Sequence, residues 1–332
     1  MAWSAMHSLA PGVNLVGAAS MSKLKNSSLH ILLNAQSGKD DSKEVRKIIE
    51  DTLVAAGRSF NIYLIEDPEE LVKIAQQAVN SAARDKGILV AAGGDGVINT
   101  VIQQAIQSDC YRVGIIPQGT FNFFARTHNI PEALEGALDT ILNGYYEPVQ
   151  VGVINGKVFL VNASLGLYPD LLETREQFKS RWGRSRFIAV IAGMYFLALN
   201  RQIIHLKLTT QTRSIELDTP SLFIANNALQ LKNVGVAEAQ KIEQGKLVAI
   251  IPRPLNKLAM VKLLIKGVLA DLDNDENILS FPFEKMTVRF ARFLGSNVKA
   301  AIDGEVIWLK APIEIGIAER ALLLIKPRYT PD

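Results

Sequence analysis

The feature of this sequence that most constrains its fold is the regular alternation of short apolar runs and helical patterns between residues 29 and 142. Four apolar runs predict strands, at 29–34 (LHILLN), 60–65 (FNIYLI), 87–92 (GILVAA) and 112–117 (RVGIIP). Single helices between successive strands require parallel β-α-β units with right-handed crossovers. The runs are apolar on both faces, as a sheet covered by helices on both sides requires. The alternation therefore predicts a Rossmann-like parallel α/β domain over residues 29–143.

The pattern changes after residue 143. Asn155-Gly156 separates two apolar segments and predicts a hairpin with a type I′ turn. Further short strands with turn residues between them are predicted at 203–209, 214–218, 221–226, 246–251, 278–283, 286–291, 298–302, 305–309 and 312–317. Two helices are predicted near 186–200 and 255–271. This pattern is typical of an antiparallel sandwich or barrel, and we predict a β-sandwich domain over residues 144–317. The last strand, 321–326, fits either domain, so residues 318–330 could complete the first.

Composition excludes several classes of protein. A single cysteine, Cys110, excludes an intramolecular disulfide framework, and with four scattered histidines it argues against a zinc centre. The net charge of +3 comes without a block of lysine and arginine, so no nucleic-acid partner is expected. His128 and His205 are interpreted as surface or strand residues without a role.

The N-terminal residues and the longest apolar run indicate where in the cell the protein is expected. Residues 1–28 lack the basic region and apolar core of a signal peptide and are predicted to be a disordered extension. The longest apolar run, 187–199, is shorter than the roughly 20 residues that a transmembrane helix needs. We therefore expect a cytoplasmic protein without a transmembrane segment. Peripheral attachment to a membrane and a homodimer stay open.

Three loops follow the carboxyl ends of predicted strands: NAQSGKD (34–40), GGDGVIN (93–99) and PQGTFNFFAR (117–126). Open α/β sheets bind ligands at this edge. Each loop combines glycine with small polar side chains, and the second and third lead directly into helical patterns. Backbone amides at such helix starts bind anions, so phosphate is the expected ligand. A single loop of this kind is more often an ordinary strand-to-helix turn, but three at one sheet edge favour a phosphate site.

Asp95 is the unusual residue of the second loop. A carboxylate beside a phosphate group requires a cation between them, and oxygen ligands at such a site favour Mg²⁺. Asp95 is therefore interpreted as a direct or water-mediated Mg²⁺ ligand. The alternative is that Asp95 caps its own helix, because aspartate is among the best N-cap residues. The spacing alone does not decide between the two.

A second acidic pair, Asp303 and Glu305, flanks Gly304 in the segment AAIDGEVIWL. Asp-Gly is a favoured hairpin turn, which explains the segment without any chemistry. The functional alternative is that Asp303 faces the active site and takes the proton of an attacking hydroxyl group. Both interpretations stay open on these residues alone.

Two apolar segments with basic flanks could contact lipid, at 181–202 and 256–272. An interfacial helix needs a large apolar face with lysine or arginine on its polar face. The second segment fits this pattern, whereas the first is apolar nearly all round and favours a buried helix.

Taken together, NAQSGK, GGDGVIN and IIPQGTFNFFAR resemble, in order and spacing, the diacylglycerol kinase catalytic-domain family of bacterial lipid kinases. The later segments NASLGLYPDLLE and AIDGEV resemble it too, so the similarity extends over about residues 29–326. It implies an α/β nucleotide-binding domain and a β-rich domain with the active site in the cleft between them. It also implies Mg²⁺-dependent transfer of the γ-phosphoryl group of ATP to a hydroxyl of a diacylglycerol-like lipid at a membrane surface.

The resemblance assigns roles residue by residue. The nucleotide-binding residues would be Asn34, Ser37, Gly38, Gly93, Gly94, Asp95, Gly96, Asn99, Gly119, Thr120 and Asn122. Asp303 would be the catalytic base, and Glu305 would support Mg²⁺ together with Asp95. The family pattern thus favours the base over the plain hairpin for Asp303, although both can hold at once.

Three positions depart from the family pattern. Val97 stands where a threonine is usual, Phe123 stands where many relatives carry aspartate, and Gln244-Gly245 stands where some relatives have an Asp-Gly that helps to hold a structural Mg²⁺. We therefore predict no structural metal at Gln244. A catalytically weak or inactive nucleotide- or lipid-binding homologue is one alternative. A small-molecule kinase of the NAD kinase type, which also carries Gly-Gly-Asp-Gly, is the other, but its pattern does not match PQGTFNFFAR.

Overall fold

The structure is a computed structural model that describes residues 27–35, 42–108, 110–166, 169, 203–234, 238–254, 256, 275–291 and 297–328. Within it the chain forms two compact units, one up to Val149 and again from Leu322, the other from Gln150 to Ala321. Several elements considered above lie outside the described residues. They are the predicted helix near 186–200, the predicted helix near 255–271 apart from Asn256, the two segments that could contact lipid (181–202, and 256–272 apart from Asn256) and the first 26 residues.

The first unit is built on one six-stranded sheet. Its strands are β1 (Leu29–Asn34), β2 (Phe60–Ile65), β3 (Ile88–Gly93), β4 (Arg112–Pro117), β5 (Tyr145–Val149) and β18 (Leu322–Lys326), in the order β2-β1-β3-β4-β18-β5. All neighbouring pairs are parallel except β18 and β5, which are antiparallel. The predicted parallel α/β fold is confirmed, and its four predicted strands lie within one residue of the observed ones.

Helices cover both faces of this sheet. They are α1 (Ser42–Ala55), α2 (Leu71–Asp85, preceded by a 3₁₀ turn at Pro68–Glu70), α3 (Asp95–Ile106), α4 (Phe123–Thr127) and α5 (Leu134–Asn143). Alternate side chains of a strand point to opposite faces. Leu29 and Ile31 of β1 accordingly pack in one cluster with Ile49 of α1 and Leu138 of α5. Helices α2 and α3 pack on each other and contact β1 and β3.

The second unit contains two six-stranded antiparallel sheets. Its strands are β6 (Gly152–Ile154), β7 (Lys157–Phe159), β8 (Asn162–Gly166), β9 (Ile204–Thr210), β10 (Ser214–Thr219), β11 (Ser221–Ala225), β12 (Leu247–Pro252), β13 (Ile278–Phe283), β14 (Lys285–Phe290), β15 (Asn297–Ile302), β16 (Glu305–Lys310) and β17 (Ile313–Ile317). One sheet has the order β10-β9-β14-β17-β6-β7 and the other β13-β12-β11-β8-β15-β16.

The two sheets of the second unit pack face to face. Leu208 and Val288 of one sheet share a single buried cluster with Leu222 and Leu247 of the other. The predicted β-sandwich is thereby confirmed. Two short helices, α6 (Ala228–Val234) and α7 (Ala239–Glu243), pack over β11 and β12 with a small core of their own.

The Asn155-Gly156 turn connects β6 and β7. Ile154 pairs with Lys157, so the loop has two residues, and both have positive φ angles of 46° and 77°. This is the predicted type I′ hairpin. Among the described helices of both units, none has the length and apolar character needed to span a bilayer.

Candidate nucleotide site and the Asp303 hairpin

The structure brings the ends of three neighbouring strands to one edge of the first unit's sheet. Strand β3 lies between β1 and β4, and Gly93 pairs with Pro117 at the end of β4. Asn34, the last residue of β1, lies at the same carboxyl edge. Ser37 and Gly38 lie outside the described residues, so their place in the site stays a prediction.

The Gly-Gly-Asp-Gly loop joins β3 directly to α3. Gly94 is the N-cap of α3 in extended conformation, Asp95 is the first helical residue, and Gly96 is exposed. Asn99 lies one turn further along the helix and is partly buried. The first backbone N–H groups of α3 are therefore directed toward the carboxyl edge of the sheet.

Two glycines of these loops are required by packing alone. A Cβ atom on Gly93 would lie 2.8 Å from the Cβ of Val97, and one on Gly119 would lie 2.8 Å from the Cα of Gly94. The second and third loops thus meet backbone to backbone at Gly94 and Gly119. Packing within the protein therefore explains these two glycines even without a ligand. The Val97 side chain occupies the space next to Gly93 in which a Cβ atom would lie.

Asp95 does not cap its own helix, so that sequence-based alternative is wrong. Its carboxylate instead reaches the start of α4, where Oδ2 accepts the Phe123 N–H at 3.3 Å and Oδ1 accepts the Phe124 N–H at 3.5 Å. Burial raises the pKa of the Asp95 carboxyl, and the backbone N–H groups of Phe123, Phe124 and Asn122 act in the opposite direction. Asp95 therefore links two loops, which its sequence neighbours do not indicate.

Asn122 closes the third loop from inside. It is buried and has a left-handed backbone with φ 48°. Its Oδ1 accepts the Gly119 N–H at 2.9 Å, and its Nδ2 donates to the Gly119 carbonyl at 3.0 Å. Asparagine tolerates this conformation better than most residues. Thr120 is exposed at the tip of the loop. Asn122 thus positions the loop, while Thr120 is accessible to a ligand.

His128 follows α4 and is partly buried. Its ring meets the Phe124 ring edge-on, with centroids 4.6 Å apart. Burial and, to a smaller extent, nearby Lys326 lower the pKa of His128, while Glu147 raises it, and together they bring it to about 3. Lys326 forms an ion pair with Glu147, which also accepts a hydrogen bond from the Tyr145 hydroxyl at 3.0 Å.

In the second unit, Asp303 and Gly304 form the turn between β15 and β16. Ile302 pairs with Glu305, and the two turn residues have φ angles of 48° and 93°. The hairpin interpretation of this segment is therefore correct for the backbone. Glu305 is exposed at the start of β16.

The Asp303 side chain has contacts that the hairpin does not predict. Its Oδ2 accepts the Leu160 N–H at 2.8 Å, and its Oδ1 accepts the N–H groups of Val161 and Asn162 at 2.8 and 3.0 Å. The Asp303 N–H donates in turn to the Asn162 carbonyl at 2.9 Å. These bonds tie the hairpin tip to the segment that enters β8. No sequence signal could identify the three donors, since every non-proline residue carries the same backbone N–H group.

Metal ligands are sparse in the described parts of both units. No group of three histidine, cysteine, aspartate or glutamate side chains that could hold a metal ion occurs among the described residues. Gln244 lies in the turn after α7, and its Oε1 accepts a hydrogen bond from Lys241 at 3.2 Å.

Comparison with known proteins relates most of the first unit to a protein family. Residues 28–154 match the family model of the diacylglycerol kinase catalytic domain, a stretch that contains all three loops. Over these residues the chain is similar to the diacylglycerol kinase catalytic-domain family. The resemblance inferred from the loop motifs is confirmed.

Individual relatives extend this result. Diacylglycerol kinases of Staphylococcus epidermidis and Staphylococcus haemolyticus are each 33% identical to this chain over 152 residues, 45% of its length. The matched stretch spans about half the length of these relatives, at 47% and 45%. A crystal structure of a diacylglycerol kinase from Bacillus anthracis is similar with a TM-score of 0.68 and 20% identity, covering 92% of this chain and 98% of that one. The two-unit fold is thus shared well beyond the matched stretch.

Proposed function

We propose that this protein is an ATP- and Mg²⁺-dependent lipid kinase that transfers the γ-phosphoryl group of ATP to a hydroxyl group of a diacylglycerol-like lipid. The observation that carries the proposal is the meeting of two glycine loops at Gly94 and Gly119, beside the start of α3 and the Asp95 carboxylate. A family of lipid kinases that matches the same residues supports the reaction class.

The nucleotide phosphates are proposed to bind at the start of α3. The first N–H groups of a helix have no partner within the helix, and the helix dipole adds a partial positive charge there. Gly94 has no side chain that could cap α3, and Gly96 is exposed. Asn34, Asn99, Thr120, Ser37 and Gly38 would complete this site.

Asp95 fits the role of a Mg²⁺ ligand. Magnesium at a nucleotide site takes only one or two protein carboxylates, because phosphate oxygens and water supply the other ligands. One carboxylate fixed by two loops is therefore sufficient, even without a cluster of three ligating side chains. When bound, Mg²⁺ would neutralise phosphate charge during transfer. Glu305 is proposed as a second, supporting carboxylate.

Asp303 is proposed as the base that accepts the proton of the lipid hydroxyl. The three backbone N–H groups that it binds fix its carboxylate in one orientation, and a base must be held in place to act on one proton. The same bonds give Asp303 a structural role, so activity loss alone does not identify the base.

The first experiment measures phosphorylation of diacylglycerol in mixed micelles by purified protein with labelled ATP and Mg²⁺. Asp95→Asn is expected to lower kcat/KM about 100-fold, since it removes the charge that binds the metal. Asp51→Asn, which changes an exposed carboxylate on α1, is the matched control and should keep wild-type turnover. Raising the Mg²⁺ concentration should partly restore Asp95→Asn.

Other results would contradict the proposal. Calorimetric binding of ATP without phosphorylation of any lipid in a panel would favour a catalytically inactive homologue. Val97 and Gln244 motivate this outcome, because Val97 places an apolar side chain where the family usually has a hydroxyl and Gln244 replaces a carboxylate that some relatives carry. Phosphorylation of NAD but of no lipid would favour the small-molecule kinase.

A further inference from the structure

Two phenylalanines of the third loop are exposed side by side. Phe121 and Phe123 are 55% and 42% exposed, and their rings stack with centroids 5.5 Å apart and planes within 5°. They flank the buried Asn122 in the sequence. A phenyl ring has no polar atom to gain from water, so exposure of two adjacent rings favours a contact that removes them from it. We refer to Phe121 and Phe123 as the aromatic pair.

The surrounding contacts hold the aromatic pair outward. Asn122 closes the loop through two hydrogen bonds with Gly119, and Asp95 accepts the backbone N–H of Phe123. The next residue, Phe124, is buried and packs against His128. Of three phenylalanines in four positions, one therefore anchors α4 in the core and two remain outside. These hydrogen bonds hold the loop that carries Gly119 and Thr120 in the conformation in which the pair is exposed.

The charge next to the aromatic pair indicates its partner. Arg126 lies three positions after Phe123 on α4, so the two side chains lie on the same side of the helix. The Arg126 side chain is 58% exposed, and its Nε lies 3.7 Å from a carboxylate oxygen of Glu132, whose side chain is 56% exposed. An exposed pair of this kind contributes little and exchanges readily for another anion. Aromatic rings that enter the acyl boundary, flanked by an arginine at headgroup level, are typical of a membrane interface.

We propose that the aromatic pair is a membrane-contact element that inserts into the surface of an anionic lipid bilayer, with Arg126 on the lipid phosphate groups. The membrane contact would bring the loop of Gly119 and Thr120 to the surface that holds the lipid hydroxyl. Only this role of the contact rests on the proposed lipid kinase activity. Contact with the bilayer itself needs no catalysis.

The test compares Phe121→Ser/Phe123→Ser with Val54→Ser/Val72→Ser, which removes two other exposed apolar side chains of the same unit. Co-sedimentation uses vesicles of equal parts phosphatidylcholine and phosphatidylglycerol. The aromatic double variant is expected to bind at least about tenfold more weakly, whereas the valine double variant binds as wild type. Phe121→Trp/Phe123→Trp should bind vesicles as well as wild type does, because tryptophan favours the membrane–water interface.

Two further measurements sharpen the assignment. Arg126→Gln is expected to weaken binding to the anionic vesicles but not to vesicles of phosphatidylcholine alone. In activity assays, the aromatic double variant should lose turnover on vesicle-borne diacylglycerol while it keeps the KM for ATP and turnover on a water-soluble short-chain diacylglycerol.

Unchanged vesicle binding by the aromatic double variant, or a wild-type protein that binds no vesicles, would overturn the proposal. A raised KM for ATP with unchanged vesicle binding would assign the rings to the nucleotide base instead. A wild-type protein that binds vesicles through the pair but phosphorylates no lipid would refute the kinase and leave the membrane contact standing.

Discussion

At the scale of single residues, His128 couples the stability of the first unit to pH. An unfolded histidine titrates near pH 6.5, whereas the folded His128 has a pKa of about 3. Between these values the unfolded chain binds a proton that the folded chain excludes. The stability that the neutral ring contributes is therefore fully present above about pH 6.5 and is lost as the pH falls toward 3.

We expect wild-type protein to lose stability more steeply than His128→Gln between pH 6.5 and 4.5, by up to about 1.4 kcal/mol per pH unit. Urea denaturation at several pH values measures the difference. Thr127→Ser, which changes the preceding residue and removes no titratable group, is the control and should keep the wild-type slope. If the free energy of unfolding of wild type and of His128→Gln changes with pH in the same way, protonation of His128 does not destabilise the folded protein and the prediction is wrong.

At the scale of elements, the Asp303 hairpin stabilises the second unit through the backbone of a different segment. The hairpin needs only a residue that tolerates positive φ, and asparagine would satisfy that requirement. The three N–H groups of Leu160, Val161 and Asn162 need an acceptor with two oxygen atoms, and aspartate supplies one. The hairpin turn therefore requires positive φ at position 303, and the hydrogen bonds to residues 160–162 separately require a carboxylate there.

Asp303→Asn is expected to keep the turn and destabilise the second unit by about 1–3 kcal/mol, because the Asn amide group would face a backbone donor and leave it without an acceptor. Urea unfolding measures this loss, and Glu305→Gln in the same hairpin should show none. If Asp303→Asn abolishes lipid phosphorylation at unchanged stability, Asp303 acts in the chemistry and its structural contribution is small.

At the scale of the whole molecule, the chain leaves the first unit at Val149 and returns to it at Leu322. Strand β18 lies inside the first sheet, between β4 and β5, rather than at its edge. The stretch that matches the family, 28–154, therefore lacks one interior strand of its own sheet. Without β18, the edge of β4 that faces away from β3 would have no strand to pair with.

A protein truncated after Ala321 is therefore expected to lose the cooperative folding of its first unit, since Leu322, Leu324 and Ile325 are fully buried. Truncation after Arg328, which keeps β18, should preserve it. Circular dichroism during thermal unfolding, with amide exchange of β4 peptides, measures the outcome. Wild-type protection of β4 in the shorter protein would mean that β18 is dispensable for the sheet.

Much of the fold follows from local patterns in the sequence. The alternation of apolar runs and helical patterns predicts β1 to β4 within one residue, and Asn155-Gly156 predicts the type I′ hairpin. Strand, helix and turn preferences depend on residues near in sequence, so these elements can be predicted without the rest of the chain. The edge position of Asn34, Gly94 and Gly119 follows too, because parallel strands end at the same side of a sheet.

Only the tertiary structure decided what the key polar side chains contact and which sheet the last strand joins. Asp95 binds the start of α4 rather than capping α3, Asp303 binds the segment before β8, and β18 pairs with β4 and β5. In each case the partner is distant in sequence, and for the two aspartates it is a backbone N–H group that all residues except proline share. A backbone N–H group does not depend on the residue type, so the sequence cannot indicate which N–H group an aspartate will bind. Such contacts are visible only in the folded structure.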